Sequence, residues 1–318
     1  MDNAPLVSVC MQTWNSERFI HEAINSVLNQ DFEGLELIIV DGASTDATKQ
    51  IIEGYAKQDP RVRAIFHERN LGISRACNDG IEAARGTYIA QIDSDDVWVP
   101  DKLTKQLAVL GRNEDLIVWS EGEVIDDAGR SIGKTYSQRL ENHLYYWTKK
   151  SGRLWPDLLQ LNVIFHSSVI YKKQNLGNLR YDERIIVLND YKLWLGLARQ
   201  YEFYYIAEPL GKYRIHGSNT FASSSPEALR RQQLAHREYV TFAEDAMRLH
   251  HDEIMRKMRA VVYNRICITY YQIGEMKESL LSFARAFVCN PLERRNWLFL
   301  KLAFKRLLRE LRRLISSK

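Results

Sequence analysis

Three aspartates fall within four positions, Asp93-Ser94-Asp95-Asp96, directly after the apolar run 88–92. Carboxylates crowded in this way repel one another and stay ionised cheaply only in water or around a cation. Mg²⁺ or Mn²⁺ prefers carboxylate and phosphate oxygens, so one or two of these side chains suit a metal whose other positions are filled by a substrate diphosphate. Acidic residues about a serine also make ordinary solvated turns, and the motif alone does not choose between the two. A second apolar run, 37–40, stops at Asp41. Farther on, Asp190 opens a helical stripe of Tyr191, Trp194, Leu195 and Ala198, and Tyr213-Arg-Ile-His216 follows the last apolar run of strand type.

The elements that would position these residues can be read from periodicity. Short apolar runs at 7–11, 37–40, 62–65, 88–92 and 116–119 read as strands, the continuous ones as strands covered on both faces. Between them, Phe19/Ile20, Ala23/Ile24 and Val27/Leu28 recur at helical spacing. Further helices are predicted around Ile51, Ile52 and Tyr55, over 74–84, and from Pro100, where proline is tolerated in a first turn. Asp126, Asp127 and Gly129 suggest a hairpin turn, 166–171 a strand that includes His166 as a structural residue, and 203–206 and 210–215 two more strands. The alternation argues for an α/β domain with a mostly parallel, twisted, Rossmann-like sheet flanked by helices. Ligands of such sheets bind beyond the carboxyl ends of the strands, which is where Asp41 and Asp93 fall.

Five segments together form a pattern: Val7-Ser-Val-Cys-Met-Gln-Thr-Trp-Asn15, Ser26-Val-Leu-Asn-Gln30, Leu37-Ile-Ile-Val-Asp-Gly-Ala-Ser-Thr-Asp46, Asn70-Leu-Gly-Ile-Ser74 and the acidic cluster. In order and spacing they resemble the inverting family 2 glycosyltransferases with a GT-A fold, over roughly residues 6–220. The resemblance implies transfer of a sugar from a nucleotide-diphosphate donor, with UDP-sugars favoured, to a carbohydrate or lipid-linked carbohydrate hydroxyl in cell-surface glycan assembly. Carried over by position, Gln12, Thr13, Asp41, Ser74 and Asp93 would contact the donor nucleotide, Asp41 at the base and Asp93 at the ribose. Asp95 and His216 would ligate a divalent metal, Mg²⁺ or Mn²⁺. Asp190 would be the base that takes the proton of the incoming hydroxyl, since an alcohol is a poor nucleophile at neutral pH. Each has a plainer alternative: Thr13 as a helix cap, Asp41 and Asp46 as Asx turns, Asp190 as an acid favouring a helix N-terminus.

The chain departs from the pattern in places. Gln12-Thr13 replaces Pro-Thr, Cys77 stands where the family often has arginine, and Asn189-Asp190 replaces an acidic pair, which removes a like-charge neighbour of the base. A sugar-nucleotide pyrophosphorylase would need a glycine-rich, basic loop after the first strand, where this chain has Thr13-Trp14-Asn15. A catalytically inactive membrane scaffold would have no need of Asp41, Asp93, Asp95, Asp190 and His216 together.

The remainder of the 318 residues, 223–318, reads as an all-helical extension after a catalytic domain of 1–222, itself divided near 120 into donor and acceptor halves. Residues 261–288 resemble one helix-turn-helix unit of the tetratricopeptide kind, with no second copy. The final 28 residues carry a net charge of +7, against −3 for all that precedes them, with leucines interleaved at amphipathic spacing. Contact with an anionic membrane surface is the expectation for such a segment, and packing on the catalytic domain its rival; nucleic acid is not expected. Cys10, Cys77, Cys267 and Cys289 lack any metal-binding spacing and read as reduced thiols. With no signal-peptide pattern and no apolar run long enough to span a bilayer, a cytoplasmic location is expected, peripheral on the inner face of the cell membrane where the tail binds it.

Overall fold

The computed structural model describes residues 5–140, 150–155, 157–217, 219, 226–250, 254, 256–293 and 296. Two compact units are present, Met1–Ala228 and Leu229–Lys318.

The first unit opens with β1 (Val7–Thr13), α1 (Ile20–Leu28), β2 (Leu35–Asp41), α2 (Thr48–Gln58), β3 (Val62–Phe66), α3 (Ile73–Ala83) and β4 (Tyr88–Asp93). The four strands lie side by side in the order β3-β2-β1-β4, all parallel. Every residue of β1 and β2 is buried, including the polar Ser8 and Glu36, as befits strands covered on both faces. α1 presents Ile20, Ala23, Ile24 and Val27 to the sheet, all fully buried, and burial of each branched side chain contributes about 1.5–3 kcal/mol. Gly86 lets the chain enter β4 tightly against β1: a Cβ there would stand 2.6 Å from the Ser8 backbone nitrogen.

Beyond β4 the sheet becomes mixed. The chain continues through β5 (Val97–Trp98), α4 (Lys102–Leu110), β6 (Ile117–Ile125), β7 (Ser131–Thr135), the single turn α5 (Tyr136–Arg139), β8 (Ile170–Lys172), α6 (Asn189–Ala198) and β9 (Phe203–Arg214). From β4 the strand order runs β8-β6-β9-β5, with β7 paired to β6. The β6–β7 hairpin turns at Asp126–Gly129 as expected, Asp126 N–H donating to the Arg130 carbonyl and Gly129 adopting φ +79°.

Two expectations need correction. His166 lies on a 3₁₀ turn, His166–Ser168, and the strand begins only at Ile170. The Ser168 hydroxyl donates to the Phe165 carbonyl, and such local bonds compete with a sheet ladder. The two strands expected around 203–215 are one, β9, whose pairing with β6 shifts register at Ser120/Glu121 and Glu121/Gly122, opposite Pro209; bulges of this kind are where a sheet tolerates proline. The two-residue strand β5 is too short to leave a periodic signal.

The second unit contains α7 (Pro226–Leu249), whose first turn holds the boundary, followed by α8 (Arg256–Ile273) and α9 (Met276–Cys289). Gly274 ends α8 at φ +90°, the left-handed step that lets Glu275 N–H reach back to the Tyr270 carbonyl. The four cysteines are free. Among the described residues no helix is long and apolar enough to cross a membrane. The basic amphipathic tail lies almost wholly outside the described residues.

Candidate active site

Register brings the expected donor-side residues together. Thr13 stands opposite Asp41 across β1 and β2, and Gln12 opposite Asp93 across β1 and β4, so all four meet at the carboxyl edge. Gln12 Nε2 donates to Asp93 Oδ1, while Gln12 Oε1 and Thr13 Oγ1 are buried with no hydrogen-bond partner among the described residues. An orphaned buried polar atom costs about 1–3 kcal/mol, so these two mark where a polar ligand gains most. Asp41 is buried and accepts from the Ser44 backbone N–H (3.1 Å) and hydroxyl, which realises the Asx-turn alternative. The loops above are laced together: Thr45 N–H donates to Asn15 Oδ1 (2.8 Å), with Asn15 and Ala43 at φ +51° and +62°. Left-handed backbone at non-glycine residues is uncommon, and here it leaves Trp14 half exposed against Gly42.

The acidic turn between β4 and β5 divides its labour. Asp96 is fully buried, and both its oxygens are taken, by the Ser167 hydroxyl (2.5 Å) and the Arg214 backbone N–H (3.0 Å). Arg214 in turn donates through Nε to the Asp95 carbonyl (2.9 Å) and pairs with Glu22. Asp96 is thus a tie between the turn and β9. Asp95 faces outward: its Oδ2 lies 2.8 Å from His216 Nε2, with Asn219 Nδ2 at 3.4 Å and the Phe19 ring 4.6 Å from the imidazole. The ligand atoms of Asp93, Asp95 and Asp96 fall within 4.8 Å of one another. Setting aside Asp96 leaves Asp93 and Asp95, and His216, 2.8 Å from Asp95, joins them to give an oxygen and imidazole set that suits a hard or borderline divalent cation.

Crowding shows in the titration of the cluster. Burial in the crevice wall and then the charge of Asp95 push the Asp93 carboxyl up to about 7, although 35% of the side chain remains exposed. A carboxyl raised in the folded state binds more protons folded than unfolded between about pH 4 and pH 7, so its contribution to stability declines as pH rises through that window. In chelator, the melting temperature should therefore fall between about pH 5 and pH 8, and added Mn²⁺ should raise it more at the higher pH, where the carboxylates are ionised. A Mn²⁺ effect equal at both values would show that these carboxylates do not receive the cation.

Asp190 sits in the first turn of α6, accepting from its neighbour's Tyr191 N–H (2.6 Å) and from Asn162 Nδ2 (3.1 Å). Burial pushes its carboxyl above the usual range, with Asp93 adding to the push and His166 opposing it. Replacement of the acidic partner by Asn189 therefore does not leave the base unperturbed. His166 is within reach of both sides: Nε2 is 3.8 Å from Asp93 Oδ1, and Asp190 acts on the ring electrostatically. Ser74, expected at the donor, is buried at the start of α3 and gives its hydroxyl to the Ile185 carbonyl (2.9 Å). The sequence reading takes His166 as structural and passes over Ser167 and Arg214. Arg214 was inside a recognised motif; the other two carried no local signal.

A family model described as Glycosyl transferase family 2 matches residues 8–174. An uncharacterized glycosyltransferase of Methanocaldococcus jannaschii is 34% identical over 223 residues, 69% of this chain and 74% of that protein. TuaG of Bacillus subtilis, a glycosyltransferase ascribed to teichuronic acid biosynthesis, is 30% identical over 235 residues, 74% of this chain and 88% of that one. Among solved structures, Staphylococcus aureus TarS 1–349 in complex with UDP superposes with a TM-score of 0.57 at 17% identity, covering 93% of this chain and 91% of that one. The mannosyltransferase PcManGT of Pyrobaculum calidifontis, in complex with GDP-Man and Mn²⁺, gives 0.59 at 16%, covering 98% and 83%. The likeness to these structures is one of fold.

Proposed function

The chain belongs to glycosyl transferase family 2, and from that premise we propose that it moves a sugar from a nucleoside-diphosphate donor, UDP favoured, to an acceptor hydroxyl with inversion. The observation that carries the reading is the strand-end register: Gln12, Thr13, Asp41 and Asp93 share one edge, next to the Asp95–His216 pair. On this reading Thr13 and Gln12 meet the nucleoside through their orphaned oxygens, Asp41 holds the loop that frames the base, and Trp14 offers an exposed face there. Asp95 and His216, with Asp93 beside them, would hold a divalent cation. When bound, such a cation supplies positive charge where the diphosphate leaves.

Asp190 receives the acceptor proton. Its raised affinity for protons suits that role, because a base matched to the operating pH both ionises and accepts. One displacement, with attack and departure on opposite faces of the anomeric carbon, gives inversion. The acceptor is read as a carbohydrate or lipid-linked carbohydrate, by analogy with relatives such as TuaG. The test is a panel of UDP-, GDP- and dTDP-sugars with purified protein, with Mn²⁺ or with chelator, scoring release of nucleoside diphosphate and the anomeric configuration of the product. Cation-dependent release from a UDP-sugar with an inverted product is expected. No release from any donor, or a retained configuration, would remove the corresponding part of the reading.

A further inference from the structure

We infer that His166 hydrogen-bonds a hydroxyl of the sugar being transferred, as a donor-specificity residue that no motif of the sequence announces. The inference rests on the transferase reading above and names a contact within it.

The ring is held firmly. Ser167, its neighbour, accepts from the Asp93 backbone N–H (2.9 Å), donates to Asp96 (2.5 Å) and offers its carbonyl to Trp98 Nε1 (2.6 Å). The Ser168 carbonyl accepts from Gln106 Nε2 (2.7 Å). The 3₁₀ turn is therefore bolted to the acidic turn on one side and to α4 on the other. The Tyr181 and Trp194 rings wall the imidazole at 6.3 and 5.9 Å.

Held in this way, the imidazole satisfies neither of its nitrogens. Nδ1 and Nε2 are both buried without a hydrogen-bond partner among the described residues, and so are Tyr181 Oη and Trp194 Nε1 beside them. A fold that fixes a polar ring and leaves both its polar atoms unmet is arranged for a partner that is not protein. Its position says which one. In a single displacement the transferred sugar lies between the leaving diphosphate, at Asp93 and Asp95, and the attacking hydroxyl, at Asp190. His166 approaches Asp93 to 3.8 Å and feels the charge of Asp190. The span between those carboxylates is where the sugar must sit. A sugar hydroxyl both donates and accepts, which matches the one donor and one acceptor of a neutral imidazole.

The test uses the full-length protein, its wild type and His166→Ala and His166→Gln, with UDP plus Mn²⁺ as the binding probe. The turnover substrate is the UDP-hexose selected by the panel, with its monodeoxy counterparts. UDP affinity should stay within about twofold, while kcat/KM for the intact donor falls about tenfold or more in His166→Ala and recovers in part in His166→Gln. One deoxy donor should cost wild type a similar factor and cost His166→Ala nothing further, a coupling that a purely structural role does not produce. Equal losses on every donor together with loss of UDP binding would overturn the contact, as would a His166→Ala enzyme with wild-type turnover. If wild type itself releases UDP from no donor, the transferase reading falls first; an active wild type beside an indifferent variant sinks this inference alone.

Discussion

Asp190→Asn is expected to bind donor as wild type does and to transfer its sugar at least about a hundredfold more slowly, the usual range for loss of a positioned base. The substitution keeps shape but only one acceptor oxygen; Tyr191 N–H and Asn162 Nδ2 bond to different oxygens, so the backbone bond persists and the one from Asn162 is given up. What disappears is the ability to take a proton. Loss of negative charge at the start of α6 costs about 0.3–1 kcal/mol at most. Relief of a buried carboxylate works in the opposite direction, so the melting temperature should hardly move. Titration calorimetry with UDP, a thermal melt and steady-state turnover separate the effects: unchanged binding and stability with collapsed kcat identify a base. Transfer within a few-fold of wild type would make Asp190 a structural acid.

Asp95→Ala should lose donor turnover by at least about a hundredfold, because a metal ligand is worth no less than the outer groups that orient it. The side chain faces the crevice and among the described residues hydrogen-bonds His216 and Asn219, so truncation leaves the core untouched. UDP binding should cease to respond to Mn²⁺. Asp96→Ala is the informative contrast, since it breaks the tie to Ser167 and to the backbone of Arg214 and should lower the melting temperature as well as activity. An Asp95→Ala enzyme that still turns over donor in a cation-dependent way would place the cation elsewhere.

The contrast between those two aspartates shows how far local pattern reaches. The parallel half of the sheet was legible because β1, β2 and β4 are mainly apolar and α1 repeats at helical spacing, and because Asp41 and Asp93 end their strands. The roles within Asp93-Ser94-Asp95-Asp96 were less so. Asp96 is distinguished from Asp95 by the Ser167 hydroxyl and by a backbone donor 118 residues away, and no spacing rule records such contacts. His166 was obscured for a similar reason: its surroundings, Asp93, Tyr181 and Trp194, are assembled by tertiary packing, and the segment resembled a strand. Ser74 shows the reverse case, a motif residue whose hydroxyl donates to the backbone at Ile185.

The tie made by Arg214 also sets a timetable for the nascent chain. Asp95 leaves the ribosome 121 residues before the histidine that partners it, and β9, which fastens Asp96, is the last strand of the catalytic unit to be synthesised. Until then the three carboxylates have neither imidazole nor anchoring arginine, and β6 lacks its parallel neighbour β9. A translation product that stops short of His216 therefore carries the acidic turn without the completed centre, however well its first four strands have condensed. The stretch from Leu229 onward is still being made while β9 docks, so the centre can be completed before that stretch is synthesised.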